Sequence, residues 1–225
     1  MSYYISRLYD FLRELQANNN REWFAAHKEE YDSLRSLWLD DVDRLIGLMS
    51  QWEPQLRALK AKDCVYRIYR DTRFSTDKTP YKVYFSAAFS PWGRKTHRAA
   101  YYMQMDVRDA ESGLYGGVWC PDAPLLRKLR NAIVDNIEEF REIIDAPDMK
   151  RYYPGWISES LKSAPKGWPK DHPDIDLLRL KDYGKFCRCD EKFFDTPDWP
   201  AKVAERFRIL KPMVDFLNYS IDEEI

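Results

Sequence analysis

The chain has 225 residues, with 36 basic against 37 acidic side chains, a formal net charge of −1 and 44% hydrophobic residues. That balance excludes a disordered polymer and argues against non-specific binding to nucleic acid or an anionic membrane through overall charge. A chain this long buries a full core without metal or disulfide staples.

Ile5, Leu8, Leu12 and Leu15 trace one face of a helix over residues 5–17. The N-terminal stretch MSYYISRLYDFLREL is amphipathic and charged where a signal peptide would be continuously apolar. No run approaches the roughly 18 apolar residues that cross a bilayer, so the expectation is a cytoplasmic protein with no membrane partner. In NNNREWF, Asn18 can take the left-handed conformation that ends a helix, and Asn19 with Glu22 resembles a capping box for the next one. That second helix is expected to be one long element carrying Trp23, His27, Tyr31, Leu34, Trp38, Leu45 and Met49, ending before Pro54. His27, on this stripe, reads as a satisfied core histidine.

From Val65 the period changes. VYRIYR, VYFSAAF, AAYYMQMDV and GLYGGVWC are short, rich in β-branched and aromatic residues, and separated by turn chemistry such as SPWGRKTH and RDAES. Four such runs in succession predict an antiparallel meander. Gly116 and Gly117 inside a strand pattern predict a bulge or a close backbone approach. Asp122 and Pro124 open a helix with a stripe of Leu126, Leu129, Ile133, Ile137, Phe140 and Ile144. Residues 147–197 are proline-broken, with a short helix expected from Pro173 and a strand at KFCRC. Thr196 and Pro197 start a last helix, with Trp199, Val203, Phe207, Leu210, Val214 and Leu217 on one face and a kink expected at Pro212. These elements predict an α+β fold: an antiparallel sheet of about four or more strands flanked by N-terminal, central and C-terminal helices. A single domain over residues 1–225 is expected.

The cysteines, Cys64, Cys120, Cys187 and Cys189, form no C-x-x-C and are expected to be reduced. His27, His97 and His172 are too dispersed for a zinc site, and there is no dinucleotide fingerprint or P-loop. Neither a metal nor a cofactor is expected. Ser75–Lys78 matches the S-x-x-K nucleophile pattern, but its partner motifs are missing and Pro80 is too close, so the match is accidental.

YRIYRDTRFSTDKTPYK, residues 66–82, holds five cations and two aspartates, a net +3 in a chain of net −1. Arg67, Arg70, Arg73, Lys78 and Lys82 are the candidate ligand-binding residues. Guanidinium forks and ammonium groups suit phosphate or carboxylate, and a small anionic ligand is the expected partner. Asp71 and Asp77 would orient the cations. Together with His172 they are the available acid–base groups, should the protein be an enzyme acting by hydrolysis or transfer at phosphate. His172, in KDHPDID, also reads as a first-turn residue of a helix capped by Asp171. Two other readings of the basic stretch stay open. It can be an internal ion network, with every cation matched by protein carboxylates. It can also be a non-enzymatic docking surface for an acidic partner or single-stranded nucleic acid, with Tyr66, Tyr69, Phe74 and Tyr81 stacking on bases, although nucleic acid is disfavoured by the overall charge. Antiparallel pairing places the connection 71–80 and the turn 108–112 at one edge of the sheet. GRKTHR lies at the other, making Arg94, Lys95 and Arg98 a solvated hairpin tip.

Four blocks, FLRELQANNNREWF, YRIYRDTRFSTDKTPYK, YGGVWCPDAPLLRKLRNAI and LKSAPKGWPKDHPDIDLLRLKDY, resemble those of the family catalogued as domain of unknown function 2461. Their order and spacing cover roughly residues 8–220. The resemblance implies a single domain and places the basic stretch in a signature block; it supplies no catalytic residues. Val118 stands where the resemblance leads one to expect another glycine.

Overall fold

A computed structural model of the chain describes residues 3–108 and 111–223. In chain order the elements are α1 (Tyr4–Ala17), α2 (Arg21–Ala26), α3 (Lys28–Met49), a 3₁₀ turn (Pro54–Ala58), α4 (Ala61–Cys64), β1 (Tyr84–Phe89), β2 (Ala100–Asp106) and β3 (Gly113–Val118). Then come α5 (Ala123–Asp135), α6 (Ile137–Asp145), α7 (Pro147–Tyr152), β4 (Gly155–Trp156), α8 (Ile175–Leu178), β5 (Tyr183–Arg188), α9 (Glu191–Phe194) and α10 (Trp199–Asp222). The fold is α+β, with an antiparallel five-stranded sheet in the order β1-β2-β3-β5-β4. No helix among the described residues is long and apolar enough to cross a membrane. The expected RDAES turn includes Asp109 and Ala110, which lie outside the described residues.

Several boundaries differ from expectation for local reasons. VYRIYR is not a strand, because it changes partner midway. Val65 bridges Ala87 and the Tyr66 N–H donates to Ser86 O, whereas Tyr69 bridges Tyr81. The expected long helix breaks at His27, whose Nδ1–H and backbone N–H both donate to Trp23 O while its ring stacks on Trp23 at 3.9 Å. His27 is half-buried there, not a core residue. The expected helix through Ile144 divides into α5 and α6 at Asn136. Its side chain donates to Ala132 O, as that of Asn18 donates to Glu14 O, each competing with the next helical turn for an i−4 carbonyl. Asn18 ends α1 without entering the left-handed region, and the cap of α2 is Asn20, which accepts from the Trp23 N–H at 2.9 Å; Asn19 is used elsewhere.

The described residues form two compact units. The first runs through Arg94 and takes in Tyr102–Leu114 and Arg188–Glu205; the second holds Lys95–Tyr101, Tyr115–Cys187 and the chain from Arg206 on. In the first, the apolar face of α1 (Ile5, Leu8, Leu12, Leu15) is fully buried, and Phe24, Tyr31, Trp38 and Phe85 form an aromatic core. Its main polar anchor is Asp41 of α3, only 3% exposed. Its carboxylate accepts from Tyr3 and Tyr4 hydroxyls, the Trp199 indole N–H at 3.0 Å and Arg44. Burial and the Asp41 charge push the Tyr3 hydroxyl up to about 12 and the Tyr4 hydroxyl up as well, so both stay donors.

In the second unit the paired glycines of β3 permit close approach. A Cβ on Gly116 would meet Leu210 Cδ1 at 2.5 Å, and one on Gly117, at φ +123°, would meet Tyr183 O at 2.0 Å. Lys185 of β5 is buried, with Nζ donating to Tyr153 O at 3.1 Å above the Trp156 ring at 4.2 Å; burial lowers its pKa to about 8. The four cysteines are free thiols.

Replacing Asp41 strands buried donors and leaves Arg44 without its carboxylate. Asp41→Ala should lose about 2–4 kcal/mol of stability, at about 1–2 kcal/mol for each stranded donor of Trp199 and Tyr4, since Arg44 is more than half exposed and turns to water. Urea unfolding checks it; a loss below about 1 kcal/mol, the scale of one neutral hydrogen bond, would show that Asp41 is not the anchor.

Candidate functional site

Residues 66–82 fold back on themselves. The Lys82 N–H donates to Ile68 O at 2.8 Å, the Arg70 N–H donates to Pro80 O at 2.9 Å, and Tyr69 bridges Tyr81 between them. The pair is pinned from outside by Asn19: its Nδ2 donates to Tyr81 O at 3.0 Å and its Oδ1 accepts from the Tyr81 N–H at 3.1 Å. The Tyr81 ring is spent on the core, stacked on Phe24 at 4.0 Å. Lys82, the next residue, therefore projects to the other side.

The loop between the paired segments is braced by its two aspartates. Asp71 accepts from Arg73 Nε at 3.0 Å and Nη2 at 2.7 Å, while Asp77 accepts from the Thr79 N–H at 2.9 Å and from Arg70 Nη1. Lys78 donates to Thr72 O at 2.9 Å. Both carboxyls are held at about 2, Asp71 by its hydrogen bonds from Arg73 and Asp77 by the Thr79 N–H and then Arg70.

Beside this loop lies a cavity of about 570 Å³. Arg70, Lys82 and Arg108 bring cations to it, Asp71 and Asp77 carboxylates, and Tyr84 of β1 an aromatic wall; Gln16 and Asn19 also line it. Arg108 is anchored from behind, with Nη2 donating to the enclosed carboxylate of Asp106 at 2.6 Å and its guanidinium 5.7 Å from the Tyr84 ring centroid. Asp106 is in turn held by the Gln104 side chain at 2.8 Å.

Lys82 differs from its neighbours. It is half-buried, and among the described residues its ammonium has no carboxylate partner and no hydrogen-bond acceptor. It lies 5.3 Å from the Tyr66 ring centroid and 5.6 Å from that of Tyr84. Burial lowers its pKa, and the nearby charges of Arg67 and Arg94 lower it further. Burial also raises the Tyr84 hydroxyl, which therefore stays neutral.

Of the residues singled out in the sequence, the structure brings Arg70, Asp71, Asp77 and Lys82 to the cavity. Arg67, Arg73 and Lys78 are exposed and are not among its lining residues. His172 belongs to the second unit, where its Nδ1 accepts from the Asp174 N–H at 3.1 Å. The expected cap shifts accordingly: Asp174, not Asp171, occupies the position before α8, and its carboxylate is engaged by Arg141 at 2.9 Å. Arg94 and Lys95 are exposed, as expected of that turn, and Arg98 is half-buried. Arg94 donates to Val65 O and lies over Tyr66, and Arg98 pairs with Asp222. Arg108, Gln16 and Tyr84 escaped the sequence reading. The signal for Arg108 was present in the expectation that the 108–112 turn shares an edge with the 71–80 connection.

Among known proteins, the model of the conserved hypothetical protein family DUF2461 matches residues 7–216. No curated protein and no solved structure matches the chain.

The depressed carboxyls set a pH window for the loop. A carboxylate whose folded pKa lies below its unfolded value contributes stability above about pH 4, lost as pH falls toward the folded value. Asp71 and Asp77 should therefore titrate near 2 in an NMR carboxyl titration. Midpoints at the ordinary value of 3.8 would mean that the two clasps do not form.

Proposed function

We propose that this chain, which belongs to the DUF2461 family, binds a small phosphate- or carboxylate-bearing molecule in the cavity beside Tyr84. The observation that carries the reading is Lys82, a half-buried ammonium facing a hollow with no carboxylate of its own. A partly buried charge without a counter-ion is held at a cost that grows with burial, and an anion entering the cavity lowers it. Arg70 and Arg108 are positioned by Asp77 and Asp106 but retain donor capacity. Arg70 Nη2 makes only a 3.5 Å contact with Ser75, and Arg108 meets Asp106 through Nε and Nη2. Two pre-oriented forks and one uncompensated ammonium suit a multiply charged oxyanion. Exposed Arg67, Arg73 and Lys78 add long-range attraction.

Hydrolysis or transfer at phosphate would recruit the same cations. The low pKa of Asp71 and Asp77 suits them to orienting arginines more than to accepting protons near neutrality.

A second reading, docking of an acidic partner or a single strand of nucleic acid, draws on the exposed face of the loop. Phe74 is 95% exposed there beside Arg73, whose guanidinium lies 5.8 Å from its ring. Tyr69 is partly exposed as well. Tyr81 and Tyr66 are unsuited to stacking on bases, since Tyr81 packs on Phe24 and the Tyr66 hydroxyl donates to Arg94 O. A concave site favours the small ligand.

A thermal-shift series with inorganic phosphate, nucleotides and small carboxylates tests the reading. A saturating anion at about a hundredfold its Kd should add about 2.7 kcal/mol of stability. Lys82→Met should abolish that gain, and Lys78→Met should keep it. No shift with any anion, or an equal shift in Lys82→Met, would contradict the proposal. A steep loss of binding with salt, as in polyelectrolyte association, would favour the docking surface instead.

A further inference from the structure

We propose that Lys82 is a nucleophile that forms an imine with a small aldehyde or ketone whose phosphate or carboxylate is held by Arg70 and Arg108. This rests on the anion-binding reading and adds to it the reactive end of the ligand. Three features of the site point to it. The cavity, at about 570 Å³, is far larger than one phosphate group requires, so an anion at the arginines leaves room for a carbon skeleton beside Lys82. Lys82 has no carboxylate to hold its proton and is half-buried beside the Tyr66 and Tyr84 rings.

The third feature is the set of charges around it. Arg67 and Arg94 act on Lys82 directly, and Arg70 and Arg108 share its cavity. Of these, Arg70 and Arg108 are already matched by Asp77 and Asp106, so those carboxylates are not available to Lys82. Asp71, on the same cavity, is chelated by Arg73. Desolvation and neighbouring cations are the two conditions that leave a lysine amine free to attack a carbonyl; both lower the Lys82 pKa here.

Other lysines in the fold show the contrast. Lys185 is more deeply buried, but its ammonium donates to Tyr153 O, a hydrogen bond with no counterpart at Lys82. Lys78 and Lys128 donate to backbone carbonyls, and Lys28, Lys150, Lys202 and Lys211 pair with aspartates.

The step is balanced without oxidant or reductant. Neutral Lys82 Nζ adds its lone pair to the carbonyl carbon, forming the C–N bond and a carbinolamine. The C–O bond then breaks and water leaves. From ammonium and carbonyl to iminium ion, nitrogen gives up two hydrogens, the carbonyl oxygen departs with both as water, and the positive charge remains on nitrogen.

Pyridoxal 5′-phosphate, an aldehyde that carries a phosphate, serves as the probe. The full-length protein is treated with one equivalent, reduced with borohydride, digested and mapped by mass spectrometry. The expected result is a dominant adduct at Lys82 that prior inorganic phosphate suppresses, while the weak labelling of surface lysines is unchanged. Label spread over surface lysines, or a Lys82 adduct indifferent to phosphate, overturns the inference. Lys82→Arg, which keeps the cation, should still be stabilised by phosphate but should lose the dominant adduct. Phosphate stabilisation of the wild type with no adduct at Lys82 would refute the imine and leave anion binding standing. Absence of both would refute the two together.

Discussion

The pairing of residues 68–70 with 80–82, clamped from outside by the two hydrogen bonds of the Asn19 amide to Tyr81, is the constraint from which the site is built. It commits Tyr81 to the aromatic core against Phe24 and thereby turns Lys82 toward the cavity. It also sets the span of the loop 71–79, short enough for Asp77 to reach back to Arg70. An asparagine side chain can satisfy a backbone N–H and C=O at once, imitating a strand partner where no strand runs. The turn between α1 and α2 thus does for this segment what a sheet neighbour would otherwise do.

On that frame the charges divide into two kinds. Arg70, Arg73 and Arg108 each have an aspartate within ion-pair reach, and at the surface such pairs contribute little net stability. Their effect is geometric: they fix the direction of the forks. Lys82 is of the other kind. Its neighbours are two tyrosine rings and further cations, with no carboxylate partner among the described residues. The proposed anion binding and the proposed imine both rest on this one group at the cavity wall. The ion pairs of an internal network are present at Arg70 and Arg73, whereas Arg67, Lys78 and Lys82 have no carboxylate partner among the described residues.

How much of this was legible in the sequence depended on the range of the interactions. The helical stripe of α1, the strands β1 to β3 and the close approach at Gly116 and Gly117 follow from periodicity and steric rules local to each segment. The breaks at His27 and Asn136 did not, because each turns on a side chain that takes a carbonyl from the helix ladder, a competition that the apolar pattern does not record. The surplus of cations in 66–82 was visible as composition. Which of them face a hollow was not, since Arg108 enters from the end of β2 and Asp106 behind it is hidden by tertiary packing. Lys82 carried no more weight in the sequence than Lys78; burial, the cavity beside Lys82 and the Thr72 carbonyl that holds Lys78 separate them.

The most direct measurement is a crystal structure of the protein grown or soaked with phosphate. The account predicts a phosphate whose oxygens accept from Lys82 Nζ and from at least one of Arg70 and Arg108, with the Asp77 and Asp106 pairs intact. An empty cavity at saturating phosphate, with Lys82 turned onto a protein carboxylate, would contradict it.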